Sequence, residues 1–232
     1  MMNIKSEKSI GINWSEILLL FLTYIGILFI AEILLGLILV TIGFKVMELM
    51  KTGYIFLILD FFIFFAALFI LKSVKTFMLK ALDFSVLRDK KTYIYLVAGF
   101  LFVSFAQYFI IEVLHLEDPS AQPAELGVGQ MNSFIEYFLF FLSIVILTPF
   151  KEELIYRGII HRFLAVRHHF WLGFIVSSLI FGVAHYSGGI LFTPAIMGMV
   201  FVLLFQLTKS LVPGILLHMV WNFLAFLTIL PF

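Results

Sequence analysis

The sequence predicts an all-α polytopic membrane protein of roughly seven transmembrane helices, with the candidate active-site residues on the last four. Three observations lead there. Hydrophobic residues make up 63% of the 232 and charged residues only 12%, against about 45–50% and about 25% in soluble domains, and mean hydropathy is +1.15. Several apolar runs approach the roughly 20 helical residues that cross about 30 Å of hydrocarbon. In the second half of the chain, ionisable and amide side chains interrupt those runs at helical spacing. The same composition excludes other classes. With 15 Lys and Arg against 14 Asp and Glu, no basic face is large enough to hold a nucleic-acid backbone. Cysteine is absent, so disulfide, thiolate-metal and cysteine-nucleophile chemistry drop out. Thirty Phe among so few charges is the reverse of a disordered composition.

Trp14–Phe44 is the first and longest run. It lacks a small-residue cleavage signature and exceeds a signal-peptide core, so it reads as a retained span. Gly53–Leu71 and Thr92–Leu114 follow. Ser133–Phe150 is the next, and a kink is expected at Pro149 because proline lacks the N–H that a helix interior uses. Beyond the kink, a helix over Glu152–Arg167 is expected to project partly into the cytosol with Arg162, Arg167, His168 and His169. Trp171–Tyr186, Ile190–Thr208 and Pro213–Leu230 complete the set. Inside lipid only a helix satisfies backbones of this kind. No internal repeat or low-complexity segment interrupts the chain. Residues 1–232 therefore read as one transmembrane domain, with N-terminal helices over 1–132 and motif-bearing helices over 133–232.

Two extended polar stretches orient the chain. Lys72–Lys91 holds Lys72, Lys75, Lys80, Arg88, Lys90 and Lys91, whereas His115–Asn132 holds Glu117, Asp118 and Glu125 and no Lys or Arg. The positive-inside rule places the first in the cytoplasm. Alternation then puts the N-terminus with Lys5 and Lys8, the Lys151–Arg167 region and Lys209 inside, and the C-terminus outside. Lys45 and Lys51 fall on the outer side and count against this topology. The expected setting is a cell membrane, with the lipid bilayer as a partner, no nucleic acid, and no oligomeric state assigned.

A charge at the bilayer centre costs at least about 2.5–3.5 kcal/mol on insertion scales, so each polar residue in a span needs a reason to be there. The densest group is Lys151-Glu152-Glu153-Leu154-Ile155-Tyr156-Arg157. Glu153 and Arg157 share a helical face and can pair, while Glu152 points about 100° away and is left for another partner. Phe181-Gly182-Val183-Ala184-His185 ends an apolar run with an imidazole, and His218-Met219-Val220-Trp221-Asn222 puts His and Asn on one face of the last span. Each has an ordinary reading as well: a solvated helix end, an interfacial histidine, a helix-to-helix hydrogen bond. Geometry ties them together. With a turn near Arg167–Phe170, Glu152 and His185 lie equally far from it on antiparallel helices, and so reach the same height. A carboxylate and a neutral imidazole can polarise water for attack on a carbonyl, and further donors can hold the oxyanion. Two His with one or two Glu also match a zinc-hydrolase ligand set. His-Glu-x-x-His is absent, so no metal ligand is assigned, and a divalent metal such as zinc stays open as the alternative. Ser177, Ser178 and Ser187 lack the Gly-x-Ser-x-Gly context of a serine nucleophile.

Glu152-Glu153-x-x-x-Arg157, Phe181-x-x-x-His185 and His218-x-x-x-Asn222, in that order over Phe150–Phe232, resemble the CPBP family. This family comprises the type II CAAX prenyl endopeptidases and the Abi, bacteriocin-processing and self-immunity relatives. The resemblance implies an intramembrane protease in which Glu152 with His185 activates water and His218 with Asn222 binds the oxyanion. Glu153 and Arg157 would hold the geometry, with a role swap between Glu152 and Glu153 left open. It implies a glutamate-dependent or metallo-endopeptidase acting on a membrane-associated peptide or protein. Size and Phe, Ile and Lys usage point to a bacterial member, for which the resemblance implies a part in peptide maturation, regulation or bacteriocin self-immunity. Two rivals stand beside it. A bacteriocin-immunity or peptide-binding membrane protein would sequester without cutting. An ion-coupled transporter would use Glu32 and Asp60, though the inverted repeats expected there are missing.

Overall fold

The computed structural model describes residues 12–43, 53–121, 131–186 and 190–230. Lys5, Lys8, Lys45, Lys51, Glu125 and Ser187 lie outside them. Every regular element among the described residues is helical: α1 (Trp14–Thr41), α2 (Gly53–Ile70), α3 (Lys72–Leu79), α4 (Lys90–Val113), α5 (Phe134–Arg167), α6 (Phe170–Ala184), α7 (Phe192–Thr208) and α8 (Val212–Ile229), with short 3₁₀ turns at Phe84–Arg88 and Pro119–Ala121. Five of them, α1, α2, α4, α5 and α8, are long and apolar enough to cross a membrane. The remaining two apolar helices, α6 and α7, are shorter, at 15 and 17 residues. The chain is an integral membrane protein, and large side chains such as Phe29, Phe105, Trp171 and Val183 stand exposed along its helices where lipid tails would cover them.

Caps mark the helix starts as the sequence chemistry requires. Asn13 accepts the Glu16 N–H at 3.0 Å while Glu16 accepts the Asn13 N–H at 2.9 Å, and Ser133 with Glu136 forms the same reciprocal box at the start of α5. Such boxes satisfy N–H groups that have no partner within the helix. Asp83 opens the Phe84–Arg88 turn, and its hydrogen bonds from the Ser85 hydroxyl and N–H hold its carboxyl below the usual carboxylate range.

α5 departs from expectation. It does not break at Pro149 but runs on as one helix to Arg167, widening into π turns at Leu142–Leu147 and Leu154–His161. The proline explains the first of these. In the π pattern the Thr148 N–H bonds to the Ser143 carbonyl, so the next carbonyl, of Ile144, would need an N–H from residue 149, which proline lacks. Asn222 supplies the missing donor, its Nδ2 lying 2.8 Å from Ile144 O. The far end also differs, because Arg162 is buried within the protein rather than solvent-exposed. Its guanidinium donates to Phe77 O at 2.6 Å and lies over the Phe77 ring at 4.1 Å. Arg167, His168 and His169 are exposed.

The described residues fall into two compact units, one from 76–121 and 152–219, the other from 12–75, 131–151 and 220–230. In the second, α1 packs on α2, and Tyr54, Met131, Phe140, Val145 and Phe226 form its core. Asp60 of α2 pairs there with Lys151 and accepts from the Tyr24 hydroxyl. In the first unit, α6 and α7 lie in close contact, flanked by α4 and by the 154–161 segment of α5. Small residues permit this approach. A Cβ added at Gly182 would stand 2.8 Å from Leu191 O and from Ala195 Cβ, and one at Gly198 would stand 3.0 Å from Ser178 Cα. Bonds from Leu211 N–H to Ala81 O at 2.8 Å and from Ser210 Oγ to Asp83 O at 2.8 Å anchor the chain just before α8.

Gly182→Ala should therefore destabilise the protein by about 1–3 kcal/mol in a detergent unfolding titration, because overpacking outweighs the gain in helix propensity. Gly26→Ala, whose new methyl meets nothing, should be neutral or stabilising.

Candidate functional site

Glu152, Glu153, Arg157, His185 and His218 come together within the first unit. α5 ends at Arg167 and α6 begins at Phe170, so the two helices run back along one another and bring His185 Nε2 to 3.6 Å from Glu152 Oε2. α8 delivers His218 between the two glutamates. Its Nδ1 lies 3.2 Å from Glu153 Oε1 and its Nε2 lies 3.8 Å from Glu152 Oε2.

The adjacent glutamates have different surroundings. Glu153 is 1% exposed, and its Oε1 accepts from Arg157 Nη1 at 2.7 Å, with Arg157 itself 0% exposed. Two fully desolvated charges must pair closely, since either alone would carry a penalty of several kcal/mol. Aromatic faces complete the guanidinium's surroundings, with Arg157 Cζ 4.3 Å from the Phe181 ring centroid and 4.9 Å from that of Phe201. Such faces attract a cation most where water is excluded. His218 stacks on Phe201 with centroids 5.0 Å apart. Gly214 leaves room for the pair, as a Cβ there would lie 3.2 Å from Glu153 Oε2. Glu152, by contrast, retains 15% side-chain exposure beside a 31% exposed His185. Its Oε2 makes no hydrogen bond to a described residue, and its two imidazole neighbours stand beyond the roughly 3.2 Å limit of a direct N–H···O bond.

His185 is aimed by its own helix end. Its Nδ1 lies 2.7 Å from Phe181 O, one turn back, and the Phe181 ring meets Arg157, His185 and His218. The sequence pattern singled out Phe181 by its four-residue spacing from His185, but Phe201 and Gly214 carry no such signal. Asn222 sits one turn beyond His218 on α8, in the other unit, where it serves Ile144 O. Ser177 and Ser178 are fully buried on α6. Among the described residues, no group of three or more His, Asp or Glu side chains is arranged to hold a metal ion. An apolar cleft of about 360 Å³ in the same unit, bordered by Phe102, Phe174 and Met199, includes none of the site residues.

The arrangement combines a charge-paired carboxylate, a second carboxylate whose side chain is 15% exposed while its Oε2 is buried without a hydrogen bond to a described residue, and two imidazoles that face that oxygen through Nε2. Residues 134–224 match the family model described as "Type II CAAX prenyl endopeptidase Rce1-like". No curated protein and no solved structure matches the chain.

Removing the guanidinium alone should strand Glu153. Arg157→Met should cost about 3–5 kcal/mol of unfolding free energy, and much less when made together with Glu153→Gln, because the uncompensated buried charge is then gone. A double-mutant cycle in detergent measures the difference.

Proposed function

We propose, from the match of residues 134–224 to the type II CAAX prenyl endopeptidase Rce1-like family model, that this chain is an intramembrane endopeptidase whose general base is Glu152. Its substrate is a peptide bond of a membrane-associated peptide or protein. The observation that carries this reading is the unequal company of the two glutamates. Glu153 Oε1 is engaged by Arg157 and His218 Nδ1, while its Oε2 is buried without a hydrogen bond to a described residue. Glu152 faces two ring nitrogens at 3.6 and 3.8 Å, separations that suit a bridging water better than a direct bond.

Hydrogen-bond partners assign the tautomers. Phe181 O can only accept, so His185 carries its proton on Nδ1 and presents a lone pair at Nε2. Glu153, ionised against Arg157, likewise holds a proton on His218 Nδ1, and that ring donates from Nε2 only as an imidazolium. A water bonded to Glu152 Oε2 and His185 Nε2 loses a proton to Glu152 as its oxygen attacks the peptide carbonyl carbon. His218 Nε2–H meets the oxyanion. Glu152 then passes its proton to the departing amine. The glutamate base, the bacterial setting, and clients in peptide maturation or bacteriocin self-immunity are parts of this proposal, as is the orientation with the N-terminus inside and the C-terminus outside.

The test is cleavage of a membrane-tethered peptide by the purified protein in nanodiscs, run beside metal analysis and chelator treatment. Chelator-insensitive hydrolysis is expected, falling by about 10²–10⁴-fold in folded His185→Ala. Activity abolished by chelator in a protein carrying one metal per chain would replace the glutamate base by metal-bound water. Peptide retention without cleavage, unchanged in His185→Ala, would favour the immunity-type binder instead.

A further inference from the structure

Glu117 follows α4 in the segment after His115, whose backbone is left-handed at φ 51°. Although acidic, it is only 6% exposed, and its carboxylate faces the start of α7. The residue preceding α7, Leu191, has no side chain able to cap it. Glu117 Oε1 instead accepts the Leu191 N–H at 2.5 Å, the Phe192 N–H, and the Thr193 N–H at 3.1 Å, while Oε2 accepts the Thr193 hydroxyl at 2.5 Å. Pro194 has no N–H, and the Ala195 N–H closes on Leu191 O at 3.1 Å. One carboxylate from 74 residues upstream thus takes every free N–H of the first turn. A helix N-terminus is an anion site by its exposed N–H groups and its dipole, and here the anion is a tethered part of the chain.

The clamp bears on the end of α6. Leu191 O lies 2.8 Å from the place a Gly182 Cβ would occupy. Gly182 O in turn accepts the His185 N–H at 3.1 Å, and Phe181 O accepts from His185 Nδ1. We infer that Glu117 is a positioning residue for His185: by holding residues 191–193 against the last turn of α6, it fixes where the imidazole stands relative to Glu152. Its effect on cleavage rests on the endopeptidase reading, whereas its effect on the ring does not.

The experiment uses the full chain in nanodiscs with ¹³C,¹⁵N-labelled histidine, the ring signals being assigned through His185→Gln and His218→Gln. Glu117→Ala should shift or broaden the His185 ring signals and leave those of His218, which is held by Glu153, in place. Amide exchange at residues 191–193 should rise, and kcat should fall by about 10–100-fold with little change in KM. Glu117→Gln keeps one acceptor oxygen and should recover part of each effect. Thr193→Val, which removes a single donor, should act in the same direction more weakly. These two variants carry the comparison if Glu117→Ala does not fold. Unmoved His185 signals, or equal perturbation of both rings, overturn the proposal. A wild-type protein that cuts no peptide would refute the endopeptidase reading while the ring signals still decide the role of Glu117.

Discussion

A guanidinium with no exposure to solvent, held 2.7 Å from a carboxylate equally removed from it, constrains everything around it. Desolvating both groups costs more than their attraction repays unless further groups complete the shell. Phe181 of α6, Phe201 of α7 and His218 of α8 surround the pair, so three helices are tied to one point on α5, although Arg157 Nε and Nη2 donate and Glu153 Oε2 accepts no hydrogen bond among the described residues. The glycines follow from the same requirement. A side chain at Gly214 would press on Glu153, and one at Gly198 would press on Arg157 Nη2 at 3.2 Å. Once Glu153 is committed in this way, the neighbouring Glu152 is turned toward two imidazoles with no ion-pair partner of its own among the basic side chains of α5. A structural charge pair thereby gives two adjacent acids different surroundings.

Two other constraints act at a distance along the chain. The π turn before Pro149 lets α5 pass through a proline without breaking, because the widened turn concentrates the loss on a single carbonyl and Asn222 covers it. At the opposite end of the sequence motif, the α7 N-terminus is stabilised from the α4 side by Glu117. In both cases a polar side chain completes backbone hydrogen bonding that lipid could not satisfy.

The helices were legible because apolar runs bounded by charged or turn residues leave lipid-embedded backbone little choice. The equal spacing of Glu152 and His185 about the Arg167–Phe170 turn likewise anticipated their height, since rise per residue is fixed in a helix. Continuity through Pro149 was not legible: it depends on a π turn and on a donor 78 residues away. Arg162 looked cytosolic by charge alone, yet the Phe77 carbonyl and ring that hold it are 85 residues upstream. The limits of α6 and α7, Phe170–Ala184 and Phe192–Thr208, fall within two residues of the apolar runs Trp171–Tyr186 and Ile190–Thr208, because polar residues follow each helix. The Glu153–Arg157 pair and the separate facing of Glu152 were legible from helical spacing, whereas His218, which reaches both acids, comes from a helix whose register against α5 the spacing does not fix. Glu117 gave no signal at all, being an isolated acid in a polar loop.

The most direct measurement compares Glu152→Gln with Glu153→Gln for both unfolding free energy and single-turnover cleavage rate in the same lipid. Separation of roles requires Glu152→Gln to remain as stable as the wild type while its rate falls by about 10²–10⁴-fold, and Glu153→Gln to lose about 3–5 kcal/mol of stability by leaving Arg157 unpaired. A Glu152→Gln protein that still cleaves at near wild-type rate, or a Glu153→Gln protein that is fully stable and inactive, would contradict it.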